Sequence, residues 1–240
     1  GGSGIGAGSA RYLAERGAKV VISGRREANL KEVASAIGNG VRYVVGDITK
    51  AADRTAMIAS TVEFGGKLDF LFNNAGNITH TPFLETGEDV IVDILQSNVV
   101  APMLLTREAV PHLEKTQGAI AFVGSVHTRR ALPGRAVYAA SKGAVQTLVR
   151  VLAAELAPKR IRVNCVIPGA IPTEINIRSG LHDKEAAAKF YKSLDAQHPL
   201  GRIGTAEEVA EAIAYLACAE WTTGAMLDVD GGLGLGLASF

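Results

Sequence analysis

Six short, apolar runs rich in β-branched residues punctuate the chain, at residues 20–23, 41–45, 68–72, 119–123, 161–167 and 225–229. Most show little polar alternation, which predicts strands covered on both faces. Between them lie segments with helical spacing. Leu13, Ala14 and Gly17 form one stripe, and Val145, Leu148, Val149, Leu152 and Leu156 form another. Thr205 and Glu208 make a capping box in front of Val209, Ala212, Ile213 and Leu216. Strand and helix alternate from end to end, so the pattern predicts an α/β fold, a doubly wound parallel sheet in three α/β/α layers. No Pro/Ser-rich linker, low-complexity tract or internal repeat interrupts it, and residues 1–240 read as one domain.

The start of the chain breaks the alternation. Residues 1–8 read Gly-Gly-Ser-Gly-Ile-Gly-Ala-Gly and run into a helix expected to start near Ala10. Such a turn normally follows a strand, and none precedes it. A flexible Gly/Ser tag is the bland reading, but the amphipathic helix that follows favours a first strand missing from the sheet centre. The expectation is that residues precede Gly1. Without a central strand, each unpaired buried ladder group would cost roughly 1–3 kcal/mol.

Composition narrows the classes. An apolar fraction of 48% with 20% charged residues describes a folded chain. Lys plus Arg number 25 against 24 Asp plus Glu, a net charge of +1, which gives no footprint for nucleic acid or an anionic membrane. No stretch approaches the roughly 20 apolar residues of a bilayer span, and no secretory leader opens the sequence. Two cysteines, Cys165 and Cys218, make no disulfide framework, which points to a reducing, cytoplasmic setting. The histidines show no metal-ligand spacing with them.

The candidate chemistry lies at strand ends. Ser3, Gly4, Ile5 and Gly6 would let backbone approach a pyrophosphate at a helix N-terminus, where free N–H groups and the helix dipole favour negative charge. About twenty residues on, the next apolar run ends in Ser23-Gly24-Arg25-Arg26. An acid there would accept a bond from a ribose 2′-hydroxyl, whereas arginine pairs with a 2′-phosphate. With Arg25 and Arg26 and no acid, NADP(H) is favoured over NAD(H). Tyr138 and Lys142 are four apart and share one helix face. A free phenol titrates near ~10, and a neighbouring ammonium is expected to lower that value toward neutral pH. Ser125 follows the strand at 119–123, where its hydroxyl could hydrogen-bond a substrate carbonyl.

Taken together, these motifs resemble those of the short-chain dehydrogenase/reductase family over essentially the whole chain. Residues 1–6 look like the tail of the family's glycine-rich turn, and Asn73-Asn74-Ala75-Gly76 is similar to its Asn-Asn-Ala-Gly motif. Ser125, Tyr138 and Lys142 match the catalytic Ser and Tyr-x-x-x-Lys, and Asn98 the Asn that holds a water for proton relay. Pro168-Gly169 with Ile171 and Thr173 resembles the segment that folds against the nicotinamide. The resemblance implies that Tyr138 exchanges a proton with the substrate oxygen while hydride moves to or from the nicotinamide. Lys142 would tune Tyr138 and bond the ribose, and Ser125 would polarise the carbonyl. It further implies that Asp47 and Ile48 line the adenine, with Asp47 bonding its amino group, and that Asn73, Ala75 and Gly76 pass along the cofactor. The partner is a small carbonyl or alcohol substrate, and the segment 176–197 is a substrate lid. Assembly as a homotetramer through helices at 89–113 and 137–157 is expected, with a dimer second. An NAD-dependent alcohol or sugar dehydrogenase, or a non-catalytic NADPH sensor, is the alternative.

His127 follows Ser125 by two residues and either faces substrate or sits on a surface loop. Arg129, Arg130 and Arg135 fall on the same loop and either attract an acidic substrate or, as the favoured reading, are solvated loop arginines. Trp221 is expected to pack.

Overall fold

A computed structural model of the chain describes residues 1–173 and 184–236. Fourteen elements set the frame. They run α1 (Gly4–Ala14), β1 (Val20–Gly24), α2 (Glu27–Ile37), β2 (Val41–Val45), α3 (Ala51–Gly65), β3 (Phe70–Asn73), α4 (Glu88–Leu95) and α5 (Ala101–Thr116). They continue with β4 (Ala119–Val123), α6 (Ala136–Leu156), β5 (Arg162–Pro168), α7 (Lys184–Ser193), α8 (Ala206–Cys218) and β6 (Met226–Val229). All strand pairs are parallel, in the orders β1-β2 and β3-β4-β5-β6. The two parts of the sheet share no ladder, and the glycine-rich turn lies by the end of β1, where the Gly1 nitrogen donates to the Ser23 carbonyl at 2.7 Å.

The three layers follow from where apolar side chains go. Leu105, Ala109 and Leu113 of α5 and Val145 and Val149 of α6 pack with Ile58 of α3 against Ile120, Phe122 and Val163 on one face. Val209, Ile213 and Leu216 of α8 cover the other face with Ile5 of α1, and Leu30 of α2 packs with Ala10, Ile22 and Val41. Only β4 and β5 are covered almost throughout, while β1, β2 and β6 carry half-exposed or exposed positions. The capping box at Thr205 and Glu208 forms as expected, with both reciprocal bonds present.

Two helices differ from the sequence pattern. The first begins at Gly4 rather than near Ala10, because Ile5 already packs under α8 and rewards helix through the glycines. The second is continuous from Glu88 to Thr116, α4 and α5 being joined by a π turn at Gln96–Val100. That 29-residue helix is long and apolar enough in composition to cross a bilayer, contrary to the expectation that no segment is. Here its inner face carries Ile94, Ala101, Leu105, Ala109 and Leu113 into the core. Of the expected lid, residues 176–183 lie outside the described residues, and the remainder forms α7 and a turn of 3-10 helix at Asp195–Gln197. Trp221 does not pack within the chain: it is fully exposed.

Candidate active site

The C-terminal ends of the parallel strands open into one cavity of about 1370 Å³. One arm begins at α1. Its first N–H groups have no intrahelical acceptor, and Ser3, the N-cap residue, makes no side-chain cap, so these donors face the cavity beside Gly4 and Ile5. Gly4 has φ +53°, and a Cβ there would stand 2.8 Å from Thr173 Cγ2, so only glycine lets this turn meet the Pro168–Thr173 wall. Arg25 and Arg26 close the arm after β1. The Arg26 guanidinium donates to Ser3 Oγ at 3.3 Å, and Arg25 Nη1 lies 3.8 Å from Asp47 Oδ2. Asp47 accepts from the Thr49 N–H at 3.0 Å and from its hydroxyl at 2.9 Å. Burial pushes its carboxyl up, but those two bonds with Arg25 and Lys50 outweigh it and hold the group below its ordinary value. Ile48 lies alongside.

The other arm holds the chemistry. Ser125 ends the loop after β4 and is buried, and its Oγ accepts from the His127 N–H at 3.2 Å. Tyr138 and Lys142 project from the first turns of α6, both buried, with the Lys142 nitrogen 5.8 Å from the phenol ring centre. Lys142 Nζ donates to the Val123 carbonyl at 2.9 Å, and burial pulls its pKa down to about 8. Tyr138 is raised above the ordinary phenol value. Burial outweighs a hydrogen bond with the Ser125 side chain and the nearby charge of Arg135. Lys142 is therefore not what pulls this phenol down in the structure as it stands, contrary to the expectation from spacing; the cation that acts on it is Arg135.

Of the residues singled out by sequence, Ser3, Gly4, Ile5, Arg25, Arg26, Asp47, Ile48, Ala75, Gly76, Ser125, Tyr138, Lys142, Pro168, Gly169, Ile171 and Thr173 line this cavity. Three do not. Gly6 is buried behind the wall, where a Cβ would stand 2.6 Å from Asn74 Nδ2. Asn73 ends β3 pointing into the protein, its Nδ2 donating to Thr106 Oγ1 at 3.0 Å. Its neighbour Asn74, on the opposite side of the chain, lines the cavity instead. Strand parity carries this signal, since successive side chains alternate. Asn98 sits in the π turn, 2% exposed, its Oδ1 accepting from Asn77 N–H at 2.7 Å and its Nδ2 donating to Asn77 O and Ser141 Oγ, each at 2.9 Å. Its side chain thus clamps the loop following Gly76, a use of the extra π-turn residue typical of functional sites. Sequence reasoning also passed over Thr79 and Tyr191, which line the substrate end.

A dinucleotide fits this chain: free helix N–H groups, two cations at a strand end and a long cavity continuing to a buried Tyr and Lys are the donor set that a pyrophosphate, ribose and nicotinamide require. The family model described as enoyl-(acyl carrier protein) reductase matches residues 1–234. Glucose 1-dehydrogenase of Gluconobacter oxydans is 38% identical over 240 residues, covering 97% of this chain and 88% of that protein. A cofactor-bound short-chain dehydrogenase/reductase of unknown function from Caenorhabditis elegans superposes with a TM-score of 0.94 at 32% identity, covering 99% and 93% of the two chains. The 3-ketoacyl-(acyl-carrier-protein) reductase of Brucella melitensis, complexed with NADH, superposes with a TM-score of 0.87 at 35% identity over 97% and 95%. The chain belongs to the short-chain dehydrogenase/reductase family, as an NAD(P)-dependent oxidoreductase acting on alcohol and carbonyl groups.

Proposed function

We propose that this protein uses NADP(H) to reduce a carbonyl to a secondary alcohol, or to run the reverse reaction, with Tyr138 as the acid/base. The observation that carries this reading is that Ser125, Tyr138 and Lys142 share one cavity with the α1 N-terminus, Arg25 and Arg26. When bound, the nicotinamide supplies or accepts the hydride. In the reducing direction the Tyr138 hydroxyl gives its proton to the substrate oxygen, and Ser125 donates a hydrogen bond to that oxygen as charge develops on it. Lys142 spends one N–H on the Val123 carbonyl and keeps two for ribose hydroxyls. Asn98 positions, through Asn77, the loop against which the cofactor lies. Arg25 and Arg26 pair with the 2′-phosphate.

The NADH complex of the Brucella melitensis neighbour favours a second reading, NAD dependence. Cofactor oxidation with NADPH and NADH across ketones, keto-sugars and β-ketoacyl thioesters tests both. Turnover favouring NADPH, lost in Tyr138→Phe with cofactor binding retained, supports the first. A preference untouched by replacing Arg25 and Arg26 with Ala supports the second. NADPH binding without turnover would return the sensor reading. We also propose a cytoplasmic homotetramer. The face formed by Val92, Leu95, Val100 and Met103 on the long helix, each at least 37% exposed, is apolar surface of the kind a second copy covers. Sedimentation as a monomer at micromolar concentration would refute the assembly.

A further inference from the structure

The three loop arginines do not behave alike. Arg129 pairs with Asp228 at 2.6 Å, and Arg130 Nη1 donates to the Leu233 carbonyl at 3.4 Å. Arg135, at the N-cap of α6 and three residues before Tyr138, is 4% exposed, so it is not the solvated residue that its type suggests. Its Nη1 donates to the Thr79 carbonyl at 3.3 Å, while its Nε is buried without a hydrogen-bond partner. Among the described residues no carboxylate pairs with it. A second orphan sits beside it, the buried Nδ1 of His127, whose ring meets the Tyr138 ring edge-on at 6.1 Å. Both side chains line the substrate end of the cavity.

Taking a guanidinium out of water costs several kcal/mol unless an anion faces it. Burial lowers Arg135 to about 10, which leaves it charged at neutral pH, and its charge is felt by His127 as well as by Tyr138. A positive charge buried at the wall of a substrate cavity, with an N–H to spare, is an incomplete ion pair. We propose that the substrate completes it: Arg135 and His127 bind a carboxylate, so the substrate class is a short oxo acid and its hydroxy-acid counterpart. Arg135 caps the helix three residues before Tyr138 and acts on its phenol, so the carboxylate and the carbonyl that Tyr138 serves belong to one short molecule. An anion there favours the imidazolium of His127, which then offers Nδ1–H as the second donor. The reaction balances as before. Hydride adds to the carbonyl carbon, the Tyr138 proton goes to the oxygen, and the carboxylate passes through unchanged.

This inference rests on the proposed carbonyl chemistry and is tested apart from it. Rates are measured for 2-oxobutanoate, 3-oxobutanoate and 4-oxopentanoate, each against its methyl ester. Binding of butanoate, a non-reacting carboxylate, to the enzyme with oxidised cofactor is measured by calorimetry. At least one acid is expected to exceed its ester by about 100-fold in kcat/KM, as a buried charge-assisted pair implies. Arg135→Met is expected to lower kcat/KM for the acids far more than for their esters and to abolish butanoate binding, with cofactor affinity read separately by titration, and Arg135→Lys to recover part of the acid preference and of the binding. Equal rates for acid and ester, or butanoate binding that is absent or indifferent to Arg135→Met, would overturn the carboxylate site. If instead Arg135→Met lowers all substrates alike, the arginine only braces the Thr79 loop and the proposal fails. Turnover that survives Tyr138→Phe would overturn the catalytic reading alone, because butanoate binding does not pass through the phenol's chemistry.

Discussion

Replacing Asn98 by Ala isolates the clamp on the loop after Gly76. The substitution removes two bonds to the Asn77 backbone, at 2.7 and 2.9 Å, and one to Ser141 Oγ. Asn77 is half-buried, so water replaces part of what is lost, and each of its two backbone groups is worth about 1 kcal/mol. Ser141 keeps its own bond to the Tyr138 carbonyl at 2.7 Å and adds little. With a small cavity left at a site 2% exposed, the sum is about 2–3 kcal/mol. For a chain of this size that corresponds to a fall in Tm of about 4–12 °C, read by thermal unfolding at fixed protein concentration. Activity falls further than stability. The Gly76 backbone lies where a Cβ would be 3.0 Å from Asn98 Oδ1 and 3.6 Å from Lys142 Nζ, so a released loop disturbs the cofactor wall and the lysine together. A loss of about tenfold or more in kcat/KM is expected, about 1.4 kcal/mol of transition-state binding. Asn98→Asp does not rescue, since it keeps the acceptor for Asn77 N–H but sets an oxygen against the Asn77 carbonyl. If Asn98→Ala unfolds within about 0.5 kcal/mol of the parent, or Asp restores full activity, the clamp is not what this residue contributes.

Other perturbations probe the walls, the core and the buried charge. At Gly169→Ala the new Cβ would stand 2.8 Å from Asp230 Cα and O, backbone that cannot swing aside. Urea unfolding should show a loss of about 1–3 kcal/mol, and no loss would mean that the wall between β5 and β6 is soft. Phe122→Ala empties a site 1% exposed in the central strand, and a cost of about 3–5 kcal/mol is expected by the same assay. Lys142 has its pKa lowered from 10.5 to about 8 in the fold, so between those values the unfolded chain binds more protons and this group's contribution to stability rises with pH. Cys165, raised to about 11, and Tyr138, also raised, act in the opposite sense at the alkaline end. The difference between the parent and Lys142→Met isolates the lysine. The parent should gain on the variant from pH 8 to pH 10, and a flat difference would show that Lys142 is not desolvated.

What was legible in the sequence was order and spacing. The strands at 41–45 and 119–123 could be read to the residue because apolar runs bounded by turns need no tertiary information, and Thr205 with Glu208 is a local cap. Tyr138 and Lys142 could be placed on one helix face by their separation, and the cavity brings them to Ser125. What spacing did not carry is depth. Asn73 and Asn74 are identical in type, and only the pleat of β3 decides which one meets the core and which the cavity. Arg129, Arg130 and Arg135 are likewise identical in type. Only the third is folded under the loop, buried beside Tyr138 with its Nη1 on the Thr79 carbonyl. Depth also decides the direction in which each group titrates. A lysine one turn from a tyrosine predicts a lowered phenol in water-like surroundings, but both are buried here, and desolvation then raises the phenol and lowers the lysine. The phenol and the arginine therefore pose opposite demands on whatever enters the site. Tyr138 is held neutral, ready to give a proton, and Arg135 is held charged without its anion. A carboxylate on the same small molecule as the carbonyl answers both, whereas a neutral ketone answers only the first.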